Sequence, residues 1–136
     1  MKANELQIGD YVNYRGQIKK VTSLYDKGGS NEVGWSKKES VWVNADNVEP
    51  IPLTPENLEK NGFGVLDQGD GRKDVWTGFG VDCEGDIEVE FRDNIPIHLK
   101  IDGGFKGEYY TSANIKYVHQ LQHAFRLCGI EKTIEL

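Results

Sequence analysis

Apolar residues at alternate positions predict β-strands at the beginning of the chain. The even-numbered apolar residues of this part are Leu6, Ile8, Val12 and Tyr14. The dipeptide Arg15-Gly16 then supplies a tight turn into a second extended segment, residues 17–24. Residues 25–34 show no hydrophobic period and include Gly28-Gly29, which predicts an exposed loop. Strand composition resumes at Trp35 and residues 40–43, so we expect a small SH3-like β-barrel over residues 1–49.

A proline-rich segment follows and predicts a stiff connection. Pro50 and Pro52 fix their own φ angles and favour an extended conformation for the residue before each of them. Thr54 has the side chain of an N-cap, Pro55 suits the first helical position, and Gly62 follows the last turn. Residues 50–62 are therefore expected to form a strut that ends in a short helix over residues 55–61.

The remainder, residues 63–136, first returns to the strand pattern and then changes period. Extended segments are predicted at residues 64–67, 74–77, 79–83, 87–91 and 95–101, with turns at Asp70-Gly71 and at residues 84–86. Between residues 114 and 128 the apolar residues recur at helical spacing, and Gly129 stands where a glycine ends a helix. Residues 133–136 could add an edge strand. The fold class predicted for the chain is α+β, an SH3-like barrel followed by an antiparallel β-meander packed by a C-terminal amphipathic helix.

The charge of the chain is acidic and unevenly distributed. The formal net charge is −6, with a balance of +1 over residues 1–48 and −7 over residues 49–136. Binding to phosphate backbones rests on clustered Lys and Arg, so this balance argues against such binding as the main activity. The chain has 16 glycines among 136 residues, a larger share than the average glycine content of about 7%. This excess fits the many tight turns that short strands need.

Other features of the composition bear on location and cofactors. No segment reaches the ~20 apolar residues of a membrane helix, and the chain begins without the apolar run of a signal peptide. We therefore expect a cytoplasmic protein with no membrane partner. Cys83 and Cys128 are 45 residues apart and not in a CxxC spacing, which predicts two buried thiols, with no disulfide framework and no zinc knuckle. No cofactor is expected.

An alternating row of acidic residues is the first candidate binding surface. Its members are Asp82, Glu84, Asp86, Glu88 and Glu90. In extended backbone they share one face at a spacing of about 7 Å, and apolar residues occupy the other. A solvated sheet face is the simplest interpretation. The alternatives are a divalent-cation site, a patch for a basic partner, or a row that imitates the phosphates of DNA, although a turn at Gly85 would divide that row.

Aromatic and basic side chains of the first fifty residues form the second candidate surface. The set consists of Tyr14, Lys19, Lys20, Trp35 and Trp42, with Tyr11, Arg15, Tyr25, Lys37 and Lys38 nearby. Rings that stack on bases or contact proline, combined with cations, are what a nucleic-acid or peptide groove requires. The competing interpretation is that these rings are ordinary core residues of the barrel.

Histidines offer little support for catalysis or metal binding. His119 and His123 have the i, i+4 spacing of two ligands to one metal ion, but Gln120 stands where an HExxH protease has its glutamate. At about 100° per residue, both imidazoles should lie on the solvated side of the helix with Gln122 and Arg126, away from Cys128. A pairing of Cys83 with His98 has no local support. The chain contains no Walker A, GxGxxG or GxSxG motif.

Three segments carry a resemblance to a known family. They are MKANELQIGDYV at residues 1–12, VEPIPLTPENLEKNGF at 48–63 and YVHQLQ at 117–122. Together they resemble a family of small uncharacterised proteins encoded by prophages and mobile elements of anaerobic gut bacteria, and they leave most of residues 64–115 unmatched. The resemblance implies a phage or mobile-element origin, carries no catalytic residues, and implies Asn as the usual residue at the position of His123.

These observations rank three hypotheses of function. The first is a non-catalytic protein-binding or adaptor module that contacts a host or phage protein through the acidic row or the aromatic barrel. The second is association with nucleic acid, either by the barrel or by acidic mimicry directed against a DNA-binding enzyme. The third is a small hydrolase or metal enzyme that uses His98 or the pair His119 and His123.

Overall fold

The computed structural model describes residues 1–28, 30–36, 41–78, 85–103 and 109–136. These residues form an α+β protein whose sheets are antiparallel, so the predicted fold class is confirmed at this level. The chain divides into two compact units, Met1–Ile51 and Pro52–Glu135. The division falls within the proline-rich segment.

The first unit contains six short strands in two sheets. The strands are β1 (Tyr11–Tyr14), β2 (Gln17–Lys20), β3 (Ser23–Lys27), β4 (Ser30–Gly34), β5 (Trp42–Asn44) and β6 (Glu49–Pro50), with 3₁₀ helices at Ala3–Glu5 and Ala45–Asn47. One sheet has the order β2-β1-β6 and the other β3-β4-β5. The described residues of this unit form no closed barrel, so the SH3-like barrel is not confirmed.

Both sheets of the first unit contribute to one apolar core. Val12 of β1 and Val33 of β4 are fully buried in it, and Leu24 and Val43 flank Val33 on the neighbouring strands. The remaining buried members come from the connecting segments and are Ala3, Leu6, Val21, Ala45 and Val48. The core is thus closed as much by the connections as by the strands.

The loop expected at residues 25–34 is wrong, because most of this segment belongs to the β3 and β4 hairpin. Gly28, with φ +64°, lies in its turn. Val33 is the one strongly apolar residue of β4, so the strand has no period of its own. The strand forms because Val33 pairs with Leu24 of β3 and Val43 of β5. The pattern of residues along one segment does not reveal such pairing between strands.

The second unit contains a five-stranded sheet and two helices. Its elements are α1 (Pro55–Glu59), β7 (Gly64–Gly69), β8 (Arg72–Gly78), β9 (Asp86–Arg92), β10 (Ile95–Asp102), β11 (Tyr109–Ser112) and α2 (Val118–Leu127). The strand order β11-β10-β9-β8-β7 follows the chain, with every neighbouring pair antiparallel. The predicted β-meander is therefore confirmed, and the extended segment expected at residues 79–83 lies outside the described residues.

The five-stranded sheet has one buried and one open face. The side chains of its buried face, each at most 2% exposed, are Val75, Ile87, Val89, Phe91, Leu99 and Ile101. Val118, Leu121 and Phe125 of α2 are fully buried in the same unit. The sheet and α2 thus each bury one side, as alternation on the strands and helical spacing in α2 predict. The residues between the buried positions point to the opposite, open face.

The sequence predicts the beginning of α1 and the end of α2, but α1 ends at Glu59 and not at residue 61. The Thr54 hydroxyl accepts a hydrogen bond from the Asn57 N–H at 3.2 Å, and Pro55 occupies the first turn of α1. After α2, Gly129 has φ +71° and the Ile130 N–H donates to the Phe125 carbonyl at 2.8 Å. This Schellman arrangement satisfies carbonyls that the helix leaves without partners.

The edge strand expected at residues 133–136 is wrong. These residues form no strand, and Asn61 holds the segment instead. Its side-chain amide donates to the Glu135 carbonyl at 3.0 Å, while its Oδ1 accepts from the Glu135 N–H at 2.8 Å. An asparagine side chain therefore supplies the partners that a neighbouring strand would otherwise supply.

Candidate functional site

The acidic row lies in part on the open face of the five-stranded sheet. Asp86, Glu88 and Glu90 alternate along β9 with the fully buried Ile87 and Val89. Asp82 and Glu84 lie outside the described residues. The predicted alternation therefore holds for the three acids of β9, and the strand fixes their spacing at about 7 Å.

Strand register gives each central acid of β9 two neighbours on the open face. Glu88 lies between Trp76 of β8 and Lys100 of β10. Glu90 lies between Asp74 of β8 and His98 of β10. Directly opposite residues on neighbouring strands have Cβ atoms about 5 Å apart, so these side chains are in contact range.

Cations interrupt the acids on this face. Its acidic residues are Asp74, Asp86, Glu88, Glu90 and Asp102, and its basic residues are Arg72, Arg92 and Lys100. Arg72 Nη2 lies 3.6 Å from Glu90 Oε1, an ion pair too exposed to add much stability. Basic side chains thus lie at the end of the β9 acids and on the two neighbouring strands. The described residues therefore do not form the long anionic row that imitation of DNA needs.

Trp76 is a large exposed apolar residue of the open face. Its side chain is 53% exposed, and its indole lies across Gly64 of β7, which is directly opposite in register. A Cβ built on Gly64 would lie 3.4 Å from the indole Cε2 atom. Leu66, on the same face of β7, is also 53% exposed. An apolar patch therefore adjoins the carboxylate of Glu88.

The aromatic and basic residues predicted as one surface of the first unit are divided among several places. Tyr14 and Trp35 contact each other with ring centroids 4.9 Å apart, and both pack against the core. Lys19 lies opposite Val12 on β2, whereas Lys20 points to the other face and lies over the Tyr11 ring at 5.4 Å. Tyr14 and Trp35 thus act largely as core residues.

Trp42 is the member of that set that remains open. It is 43% exposed and contacts Tyr25, itself 44% exposed, at a centroid distance of 6.3 Å. Its indole lies beside Gly34, the residue directly opposite on β4. The outer face of the sheet formed by β3, β4 and β5 therefore carries a small aromatic patch. Lys37 and Lys38 lie outside the described residues.

The expected solvent exposure of the paired histidines is wrong for His119. This residue is 5% exposed, and Gln122, expected beside it on the solvated side, is 4% exposed. The chain after α2 covers this side of the helix, since the Gln122 amide donates to the Ile134 carbonyl at 3.4 Å. The His119 ring stacks on Tyr117 and contacts His123, with centroids 5.8 and 5.5 Å away.

The candidate metal ligands do not come together among the residues that the structure describes. Within these ranges no group of three or more His, Cys, Asp or Glu side chains is placed to hold a metal ion. Cys128 is half-buried rather than buried, and Cys83 lies outside the described residues, as does any pairing with His98. His98 itself faces the open sheet beside Glu90.

A shallow pocket lies at the C-terminal end of α2. Its volume is about 400 Å³, and its lining residues are Gln122, Arg126, Gly129, Ile130, Glu131, Lys132 and Thr133. Both charge signs occur in this lining, so the pocket has no single electrostatic preference. None of the predicted site residues contributes to it.

Trp76 and Leu66 are site residues that the sequence did not single out. The available signal was alternation, since Val75 is buried and Trp76 must then face the other way. That signal does not reveal which residues of β9 lie beside Trp76, because register depends on pairing between strands.

The fold and this face define an α+β protein with antiparallel sheets, one of which exposes a mixed apolar and charged surface. The chain matches no protein-family model, no curated protein sequence and no solved structure. Among the described residues, no helix has the length and apolar character needed to cross a membrane.

Proposed function

We propose that this protein is a non-catalytic protein-binding module whose contact surface is the open face of the five-stranded sheet. The observation that carries the proposal is the half-exposed Trp76 on β8, the strand next to the edge strand β7, with Leu66 and Glu88 beside it. Tryptophan side chains surrounded by polar groups are typical of the residues that dominate binding energy at protein interfaces.

The partner proposed for this face is a protein with an apolar contact patch bordered by basic residues. Asp74 of β8 and Glu88 and Glu90 of β9 lie beside the apolar patch formed by Trp76 and Leu66. Basic residues on the partner would orient the encounter by their opposite charge. A host or phage protein remains our proposal for its identity, supported by the resemblance of three segments to prophage proteins.

Substitution of Trp76 tests this proposal. The immobilised protein captures partners from an extract of its source organism, and quantitative mass spectrometry compares wild type with Trp76→Ala and with the double variant Glu88→Lys/Glu90→Lys. We expect both variants to capture at least about tenfold less of a specific partner than the wild type. A central tryptophan of an interface contributes about 2 kcal/mol or more to binding. Circular dichroism checks that the variants fold.

Trp42→Ala is the matched control for that experiment. Trp42 has similar exposure and also lies beside a strand glycine, but it belongs to the first unit. The proposal expects this variant to retain the partner. Retention by Trp76→Ala together with loss by Trp42→Ala would move the contact surface to the aromatic patch of the first unit.

Nucleic-acid association is the second candidate function. The half-exposed rings of Tyr25 and Trp42 lie on one sheet face, and stacking on such rings is how many proteins hold single-stranded nucleic acid. The SH3-like barrel also stays a proposal for this unit, supported by its two three-stranded sheets around one core.

A further inference from the structure

The outer edge of β7 is open among the residues that the structure describes. β7 is the last strand of the five-stranded sheet, and all six of its residues are exposed. In an antiparallel pair, every second residue turns its N–H and C=O away from the neighbouring strand. These groups on β7 therefore face outward, where an added extended strand can pair with them.

The regular part of this edge is short and bounded at both ends. Before it, Gly62 has φ +84°, which ends the extended conformation. After it, the pairing with β8 shifts between Asp67 and Gly69, and the Asp67 carboxylate accepts a hydrogen bond from the Gly69 N–H at 3.0 Å. Phe63 lies before the strand and donates its N–H to the Leu58 carbonyl at 3.1 Å, and Asp67 adjoins the shift. The regular segment between them is residues 64–66, and its central residue is Val65.

We propose that this edge pairs with the same edge of a second copy of the chain, antiparallel about a two-fold axis at Val65. An axis at the central residue uses the whole regular segment of both copies, and identical strands pair naturally about a two-fold axis. In this register Val65 lies opposite Val65, and Gly64 of one copy lies opposite Leu66 of the other.

Side-chain complementarity supports a second copy as the occupant. Residues directly opposite in an antiparallel pair share a face, so Leu66 of the second copy extends the row formed by Trp76 and Gly64. It would contact the side of the indole that lies across Gly64, and it would reduce the exposure of two side chains that are each 53% exposed in the single chain. Residues 63–66 carry no charge, so no like charges oppose one another in this register.

Pairing in this way joins two five-stranded sheets into one sheet of ten strands, with both open faces on the same side. The inference goes beyond the proposed partner binding and does not depend on it. Loss of a captured partner in Glu88→Lys/Glu90→Lys, which leaves Trp76 and Leu66 in place, reports on the open face, whereas the state of association of a Leu66 variant reports on the edge.

Sedimentation velocity of the full chain, from low micromolar to millimolar concentration, tests the inference. We expect the wild type to form a dimer as concentration rises. Leu66→Lys places a charge beside Gly64 and the indole, so dimerisation should weaken by at least about tenfold while the variant stays folded, because the native side chain is half exposed.

Ile95→Lys is the matched control, since Ile95 is 62% exposed on the open side of β10, and two strands, β8 and β9, separate β10 from β7. It should dimerise as the wild type does. A wild type that stays monomeric throughout, or a Leu66→Lys variant that dimerises like the wild type, would overturn the proposal. An equal loss in Ile95→Lys would overturn it as well, because it would place the interface elsewhere.

Discussion

The same residue arrangement occurs once in each unit of the molecule. Trp42 lies beside Gly34 and Trp76 lies across Gly64, and in both cases the glycine is the directly opposite residue of the neighbouring strand. A glycine weakens a strand because it has no side chain to pack, and a neighbouring aromatic ring that covers it compensates for that loss. The position of each indole thus has a structural cause, and its outer surface stays open for contact.

Gly71 is a turn residue at which an added methyl group meets a neighbouring side chain. It lies with Asp70 in the turn between β7 and β8, and both residues have positive φ angles, +52° for Asp70 and +76° for Gly71. A Cβ built on Gly71 would overlap the Asp93 carboxylate, and the Asp93 N–H donates to the Gly71 carbonyl at 2.8 Å. We expect Gly71→Ala to lower the free energy of unfolding in urea by about 1 to 2 kcal/mol, because displacement of the exposed Asp93 side chain adds to the cost of the positive φ.

Gly16→Ala isolates the backbone part of that effect. Gly16 also has a positive φ, +79°, but a Cβ there meets no atom within 4 Å. Its expected cost is about 1 kcal/mol, from the left-handed conformation alone. Equal losses in the two variants would show that the contact with Asp93 adds nothing.

At the scale of elements, the buried side of α2 can be tested directly by substitutions in this helix. Phe125 is fully buried in the helix, whereas Leu127, two residues later, is 73% exposed. Phe125→Ala should lower the free energy of unfolding by about 3 to 5 kcal/mol, because it removes a buried ring and leaves a cavity. Leu127→Ala should change it by less than about 0.5 kcal/mol. Urea unfolding followed by circular dichroism measures both, and similar losses would contradict the assigned face of α2.

Elements with a strong internal period were predictable from the sequence. The spacing of Val118, Leu121 and Phe125 indicates α2, and alternation along β9 and β10 indicates the meander. β4 was not predictable in this way, since Val33 alone is strongly apolar and the strand is held by its neighbours. Propensity and period act within one segment, while pairing acts between segments.

The candidate site was predictable only in part for the same reason. The acids of β9 followed from alternation, but the neighbours Trp76 and Lys100 depend on the register of three strands. His119 shows the converse limit. Helical angles placed it on the solvated side, and the returning chain near Ile134 covers that side of the helix at Gln122.

At the scale of the whole molecule, charge separates the two units. Residues 1–51 contain seven basic and seven acidic residues, and residues 52–136 contain nine basic and fifteen acidic residues. The first unit therefore has no basic excess to attract phosphates, and the second carries the whole net charge of −6.

From this distribution we expect no electrophoretic shift of single-stranded or duplex oligonucleotides, even at low salt. Binding to phosphates strengthens as salt falls, so low salt is the condition most favourable to a shift. A salt-sensitive shift that Lys19→Ala/Lys20→Ala abolishes and Trp76→Ala leaves intact would replace protein binding by nucleic-acid association as the function of this chain.

The two half-exposed indoles also give the molecule a pair of optical probes. Trp42 reports on the first unit and Trp76 on the second, and Trp35 packs against a core. In variants that keep a single tryptophan, quenching of the fluorescence by a solute would measure the accessibility of that one indole. Binding of a partner at the open face of the five-stranded sheet would then change the accessibility of Trp76 to a quencher without altering that of Trp42.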